Sequence, residues 1–306
     1  MRIPATPVTD DWHLLMHTTR NQRTIAKSAA VRGVGYFGGQ DVRVEFRPAE
    51  VDTGIVFVRD DLPDCPRIEA CVANRKEVPR RTTLSAGGAA VEMVEHVMAV
   101  FGGLQIDNCE VHLDAPEMPG CDGSSLSFVE ALDAAGIVEQ DAVRPRKVIR
   151  ELIRLGSEES WIEARPCCSG KPILQYELDY GRDNRIGHQT FEISLSPGSF
   201  RHGLAPSRTF LLDREAAALR AQGLGQRVTC QDLLVFGPDG PIDNRLRFPD
   251  ECVRHKIVDM VGDLALAGRD LIGRFSAYRS GHRLNAELVQ AILAQAKGQT
   301  ELKRCA

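Results

Sequence analysis

The sequence predicts an α+β fold in two halves, each a β-sheet covered on one face by helices. Three observations carry this reading. The chain has 306 residues, a length that suits two units of about 150 residues better than one. Short runs of alternating apolar and polar residues interleave with segments whose apolar residues recur at helical spacing. The same outline of strands followed by helices recurs after a polar, proline-containing stretch at residues 141–147, the best linker candidate. A sheet with helices on one face is a two-layer sandwich. The first unit is placed at residues 22–142 and the second at residues 147–300.

Residues 1–20 have no clear period and read as a loose leader. From Thr24 to Phe46 the pattern is of short β runs broken by glycine: Ile25-Ala26, then Gly33 to Gly39, then Val42 to Phe46 with strict alternation. Gly54 to Arg59 reads as a further strand. Residues 90–104 read as a helix, with Val94, Val97, Met98 and Phe101 on one stripe and Gly102-Gly103 as its stop. Cys109 to Asp114 alternates as a strand, and Ser124 to Ala135 is a second helix ended by Gly136. In the second half, strands are expected near 148–155, 160–165, 173–179, 188–194 and 275–279. Helices are expected near 214–222, 250–268 and 284–297.

Composition excludes several classes. Hydrophobic residues make up 43% and charged residues 26%, ordinary values for a globular chain. Net charge is −4, from 38 Lys plus Arg against 42 acids, well mixed along the chain. Without a basic tail or stripe, a nucleic-acid partner is not expected. No apolar run approaches the ~18 residues of a membrane span. Asp10, Asp11 and His13 stand where a secretory signal would be apolar. Nine cysteines occur with no Cys-x-x-Cys spacing, so reduced thiols and a cytoplasmic location are expected. No heptad or repeat calls for a dimer, and a monomer is expected.

Three polar clusters stand out against the apolar periodicity. Glu95-His96 falls inside the 90–104 helix, where neighbours point about 100° apart. One of the two suits a metal while the other overhangs a metal-held water; alone, they are equally an exposed charge and a satisfied core histidine. His255 and Asp259 share a helix face at i and i+4, and Asp263 continues that face. An imidazole and a carboxylate suit zinc, though an amphipathic helix with a wet polar face gives the same pattern. Ser280-Gly281-His282 follows a strand and suits a turn that presents an imidazole, or an ordinary loop histidine. Taken jointly they are economical. A catalytic zinc wants three protein ligands and an open position for water. His96, His255 and Asp259 supply three ligands, Glu95 a base, His282 a second acid/base group held by Asp263, and Thr209 a hydroxyl for a developing oxyanion.

These motifs resemble, in order and over about residues 22–297, the UDP-3-O-acyl-N-acetylglucosamine deacetylase family, zinc amidases of lipid A synthesis in Gram-negative bacteria. The likeness rests on Val94-Glu95-His96, residues 103–108, Ala115 to Ser124, Ser207 to Phe210, Val253 to Lys256 with Asp259 and Gly262 to Leu264, and Ser280 to Asn285. It implies two sandwich domains, each with a small insert, and a metal site at their junction. It implies His96, His255 and Asp259 as ligands of zinc, or of ferrous iron, which the same ligands accept. Glu95 would activate water, and His282, oriented by Asp263, would stabilise charge or protonate the leaving amine. Thr209 would polarise the carbonyl or steady the oxyanion. Lys256, Phe210 and Tyr180 would face the substrate, and an insert near residues 211–236 would line an acyl passage. Two segments depart from the family pattern. Gly35-Tyr36-Phe37-Gly38-Gly39 lacks the usual histidine, and Arg227-Val228-Thr229-Cys230 replaces a Gly-Gly-Ser run. The same fold acting on another acylated amino sugar, and a non-catalytic metal-binding paralogue, are the competing readings.

Overall fold

The computed structural model describes residues 19–182 and 184–304. Two five-stranded sheets organise it. In the first, the spatial order is Ala29–Val34, Asp41–Pro48, Cys109–Leu113, Ile55–Arg59, Arg67–Glu69. In the second it is Ile153–Gly156, Trp161–Arg165, Arg274–Tyr278, Ile173–Asp179, His188–Ser194. Each has one parallel pair, between its third and fourth positions, and antiparallel pairs elsewhere. In both, the strand that is last in the chain lies at the centre. The expected repetition of element order is therefore a repetition of topology, without a repeat in sequence.

The helices follow the same plan. α1 (Glu95–Leu104) precedes the central strand of the first sheet, and α2 (Leu126–Ala135) follows it. After α3 (Pro197–Gly203) and α4 (Asp213–Ala221), α5 (Glu251–Ala265) precedes the central strand of the second sheet and α6 (His282–Arg304) follows it. Before α1 and before α5 the chain inserts a small three-stranded sheet. The first is Arg75–Val78, Arg81–Ala86 and Ala89–Glu92; the second is Phe210–Leu212, Leu234–Gly237 and Gly240–Pro241.

The apolar alternation explains the layers. Val42, Val44 and Phe46 all point inward from one strand, and Phe46 meets Phe101 of α1 and Phe128 of α2 edge to face. α1 buries every residue except Gly102, because it lies between its own sheet and α5. Only glycines permit that approach. A Cβ on Gly262 would sit 2.1 Å from the Glu95 carbonyl oxygen, and one on Gly103 would sit 2.2 Å from the Phe200 ring.

The structure moves several expected boundaries. Ala90–Glu92 is strand, not helix; Met93 takes a left-handed φ of 59° and the helix starts at Glu95. Apolar residues at 91 and 94 satisfy both periods, so spacing alone did not separate them. The 141–147 stretch is not an open linker. Ile137–Val143 pairs with Asn21–Ile25, and Arg146–Val148 with Asp270–Ile272; its polar side chains belong to strands with little cover. The leader expected at residues 1–20 lies outside the described residues except for Thr19 and Arg20. Arg20 is not loose, since it pairs with Asp107 and Asp270, at 2.6 Å each. Residues 35–39 form a turn, and α6 begins two residues earlier than expected, at His282. All cysteines among the described residues are free thiols, and no helix is long and apolar enough to cross a membrane.

Gly262→Ala is expected to destabilise the fold by about 1–3 kcal/mol, the usual cost of overpacking. Thermal melting against wild type checks this; an unchanged melting temperature would mean that the α1–α5 contact is slack.

Candidate metal centre

The break at Met93 puts Glu95 and His96 in the first turn of α1, where backbone N–H groups lack intrahelical partners and a carboxylate is favoured. The inserted strand Arg81–Ala86 clamps this end. Thr82 takes the Val94 N–H on its carbonyl (3.2 Å) and gives its own N–H to Glu95 Oε2 (2.9 Å). Ser125, just before α2, donates its hydroxyl to the His96 carbonyl.

From α5, His255 and Asp259 reach the same point. The ligand atoms of His96, His255 and Asp259 lie within 4.8 Å of one another, and all three residues are buried. His255 Nε2 is 3.3 Å from Asp259 Oδ1, and His96 Nε2 is 3.9 Å from the same oxygen. Two ligands bound at about 2.0–2.1 Å to one tetrahedral zinc stand about 3.3 Å apart. The two imidazoles meet edge to face at 5.0 Å.

The protonation states suit a cation at this point. Burial, followed by the neighbouring His255, lowers His96 to about 3. Burial likewise lowers His255. Both rings are therefore neutral near pH 7. His255 Nδ1 donates to the Ser207 carbonyl at 3.1 Å, which leaves the Nε2 lone pair aimed at Asp259. Burial alone would raise Asp259, but Lys256 and the imidazoles hold it well below the usual carboxylate range. Its other oxygen is 2.6 Å from Lys256 Nζ. Lone pairs thus converge on one point with no proton between them, an arrangement a divalent ion stabilises. His96 Nδ1 is buried without a partner among the described residues. No hydrogen bond among the described residues fixes that ring, and a metal ion held at Nε2 would supply the constraint.

Beside this cluster stands an acid–base pair. His282 Nε2 lies 4.0 Å from Glu95 Oε1, and its Nδ1 meets Asp263 Oδ2 at 2.8 Å. Burial pushes Glu95 up to about 7, with the His282 charge pulling the other way. Burial pushes His282 down, but Asp263 outweighs it and lifts the imidazole to about 9. Asp263, fully buried, also accepts from Thr82 Oγ1 (2.6 Å) and Asn285 Nδ2 (2.8 Å). Thr82 therefore holds Glu95 with its backbone and Asp263 with its hydroxyl. Sequence reading missed Thr82 and Asn285. Asn285 stands at i+3 from His282 on a helix face, a usable signal, whereas the place of Thr82 depends on a sheet pairing distant in sequence.

Thr209, Phe210, Tyr180 and Lys256 all line the cavity of about 450 Å³ that opens over these groups. Phe210 packs edge-on to His255 at 6.4 Å and to Tyr180 at 5.8 Å. Both inserted sheets contribute walls, Arg75 to Arg80 from the first and Leu211, Val228 and Val235 from the second. Residues 35–39 and 227–232 touch each other here. The Tyr36 hydroxyl donates to the Asp232 carbonyl, and Arg227 donates to the Gly39 carbonyl at 2.9 Å. Tyr36, Phe37, Val228 and Cys230 share one small apolar cluster. Phe37 lies 4.0 Å beneath the Arg81 guanidinium, a cation–π contact.

The chain is similar to known proteins over most of its length. The family model for UDP-3-O-acyl N-acetylglycosamine deacetylase matches residues 22–294. Proteins named UDP-3-O-acyl-N-acetylglucosamine deacetylase from Brucella ovis, Brucella canis and Brucella melitensis are each 41% identical to this chain over 275 residues, 89% of this chain and 95% of theirs. The chain belongs to the UDP-3-O-acyl N-acetylglycosamine deacetylase family.

Proposed function

We propose that this protein is a zinc-dependent deacetylase that hydrolyses the N-acetyl amide of UDP-3-O-acyl-N-acetylglucosamine to the free amine and acetate, a cytoplasmic step of lipid A biosynthesis. Residues 22–142 and 147–300 are its two domains, and it acts as a monomer. The observation that carries the reading is the convergence of the His96, His255 and Asp259 lone pairs in one cavity with Glu95 and His282.

An acetamide is a poor electrophile and its amine a poor leaving group, so both need help. Zinc, when held by His96, His255 and Asp259, acidifies water to a pKa of about 7 and polarises a carbonyl. The chain supplies the rest. Glu95, poised near neutrality, accepts the proton that water loses as its oxygen joins the acetyl carbon. The Thr209 hydroxyl, on the cavity wall, faces the charge that develops on the carbonyl oxygen. His282, held cationic and oriented by Asp263, stabilises that charge and gives a proton to the nitrogen as the carbon–nitrogen bond breaks. Lys256, Phe210 and Tyr180 face the nucleotide-sugar part of the substrate, and residues 211–236 wall the acyl chain.

Release of acetate from UDP-3-O-acyl-N-acetylglucosamine by the zinc-loaded protein tests the reading directly. Turnover of a different acetylated sugar instead would assign another substrate, and binding without turnover would assign a non-catalytic role. Glu95→Ala is expected to keep its metal and lose about 10²–10⁴-fold in kcat; a near wild-type rate would remove Glu95 from the chemistry. His255→Ala is expected to lose metal on dialysis, read by elemental analysis of the protein; an unchanged zinc content would contradict the ligand set.

The pH profile has a definite sign. Glu95 gains its basic form as pH rises through about 7, and a cation at the triad moves that limb lower. His282 loses its proton as pH rises through about 9. A bell-shaped kcat is expected, with the alkaline fall abolished in His282→Gln; retention of that fall in the variant would assign it to another group.

A further inference from the structure

A second cavity, of about 540 Å³, lies at the far end of the α1–α5 pair and shares no lining residue with the metal-centre cavity. Its volume is within the roughly 300–1,000 Å³ range of small-molecule sites. The apolar part of its wall is Ile55, Pro172, Leu195, Ala265 and Ile272, each half-buried, lying over the buried Met98, Phe101 and Phe275. Arg20, Arg144, Arg269 and Lys171 stand at its rim with two carboxylates, Asp107 and Asp270.

The charges there are unevenly matched. Arg20 takes both carboxylates, at 2.6 Å each. Arg144 shares them, at 2.9 Å from Asp107 and 3.7 Å from Asp270. Among the described residues, Arg269 and Lys171 have no carboxylate partner, and Arg269 Nε is buried with no hydrogen-bond partner. Burial, with the charges of Arg20 and Arg269 beside it, holds Arg144 below its ordinary value in spite of both aspartates. An anion placed at this rim gains charge-assisted hydrogen bonds and relieves cation–cation repulsion. The apolar wall behind it buries an alkyl chain. We propose that this cavity binds an anionic single-chain amphiphile, with its carboxylate or phosphate monoester on Arg269 and Lys171 and its tail against Ile55, Leu195 and Ile272. The site is independent of the deacetylase reading.

Titration calorimetry of the full chain with dodecyl phosphate and with dodecanoate, both below micelle formation, tests this. One-to-one binding of either probe is expected, and which of them binds identifies the headgroup. Octyl glucoside and dodecyltrimethylammonium are not expected to bind. Arg269→Gln with Lys171→Gln changes one half-buried and one exposed side chain, and an unaltered melting temperature verifies that the fold is kept. It is expected to weaken binding by about tenfold or more. Lys256→Gln, in the other cavity, is expected to leave binding unchanged. Loss of binding in Lys256→Gln with retention in the double variant would place the probe in the metal-centre cavity and overturn the proposal. Equal binding of the neutral or cationic probe, or binding only after residues 1–18 are removed, would overturn it as well.

Discussion

The contact between Gly262 and the Glu95 carbonyl is the constraint on which the rest of the site depends. It is steric, because the φ of Gly262 is not in the left-handed region; the space simply ends at a backbone oxygen. With that contact, the first turn of α1 lies against the middle of α5. Residues 95 and 96 can then meet residues 255, 259 and 263, though more than 150 positions separate them in the chain. Neither helix carries a complete site. A displacement of an ångström between them would open the ligand triad and break the Glu95–His282 approach together, since both depend on the same pair of axes.

Electrostatics explains why so many ionisable groups tolerate burial here. Asp263 is fully buried, yet it has three partners: His282, Thr82 and Asn285. Asp259 divides its two oxygens between Lys256 and the imidazoles. The two carboxylates have opposite tasks. Asp263 keeps His282 charged, while desolvation leaves His96 and His255 neutral because their only carboxylate is shared with a lysine. Three neighbouring histidines with two protonation states follow from how the aspartates are paired. Removing one partner from such a network leaves a charge uncompensated, so substitutions at Lys256 or Asn285 act on the chemistry through their neighbours.

Much of this was legible in the chain itself. The i, i+4 spacing of His255 and Asp259 on a helix, with Asp263 one turn on, survives intact in α5 because periodicity along one helix needs no tertiary information. The strands with strict alternation, such as Val42 to Phe46, were equally plain. The failures have a common cause. Residues 90–92 fit two periods, and the left-handed Met93 that decides between them carries no glycine or asparagine signal. The strand pairings at 137–143 and 146–148 are decided by partners more than 100 residues away, so a polar composition read as a linker. Thr82 was invisible for the same reason. Its importance comes from a strand that crosses two carboxylates, one from each half of the chain.

The repeated topology also explains how chemistry and substrate recognition separate. Both small sheets are inserted at the same point of the repeat, just before the helix that carries the polar groups. Each therefore emerges beside α1 or α5 and grows outward over the same cavity. The sheets beneath hold the helices; Thr82 of the first insert bonds Glu95 and Asp263, and Phe210 of the second packs edge-on against His255. The inserts are then free to change shape as a pair. Residues 35–39 and 227–232 meet through Arg227, Tyr36 and Asp232. A change of shape in one can be answered in the other across that contact, while the helix pair, fixed at Gly262, leaves His96, His255 and Asp259 where they are.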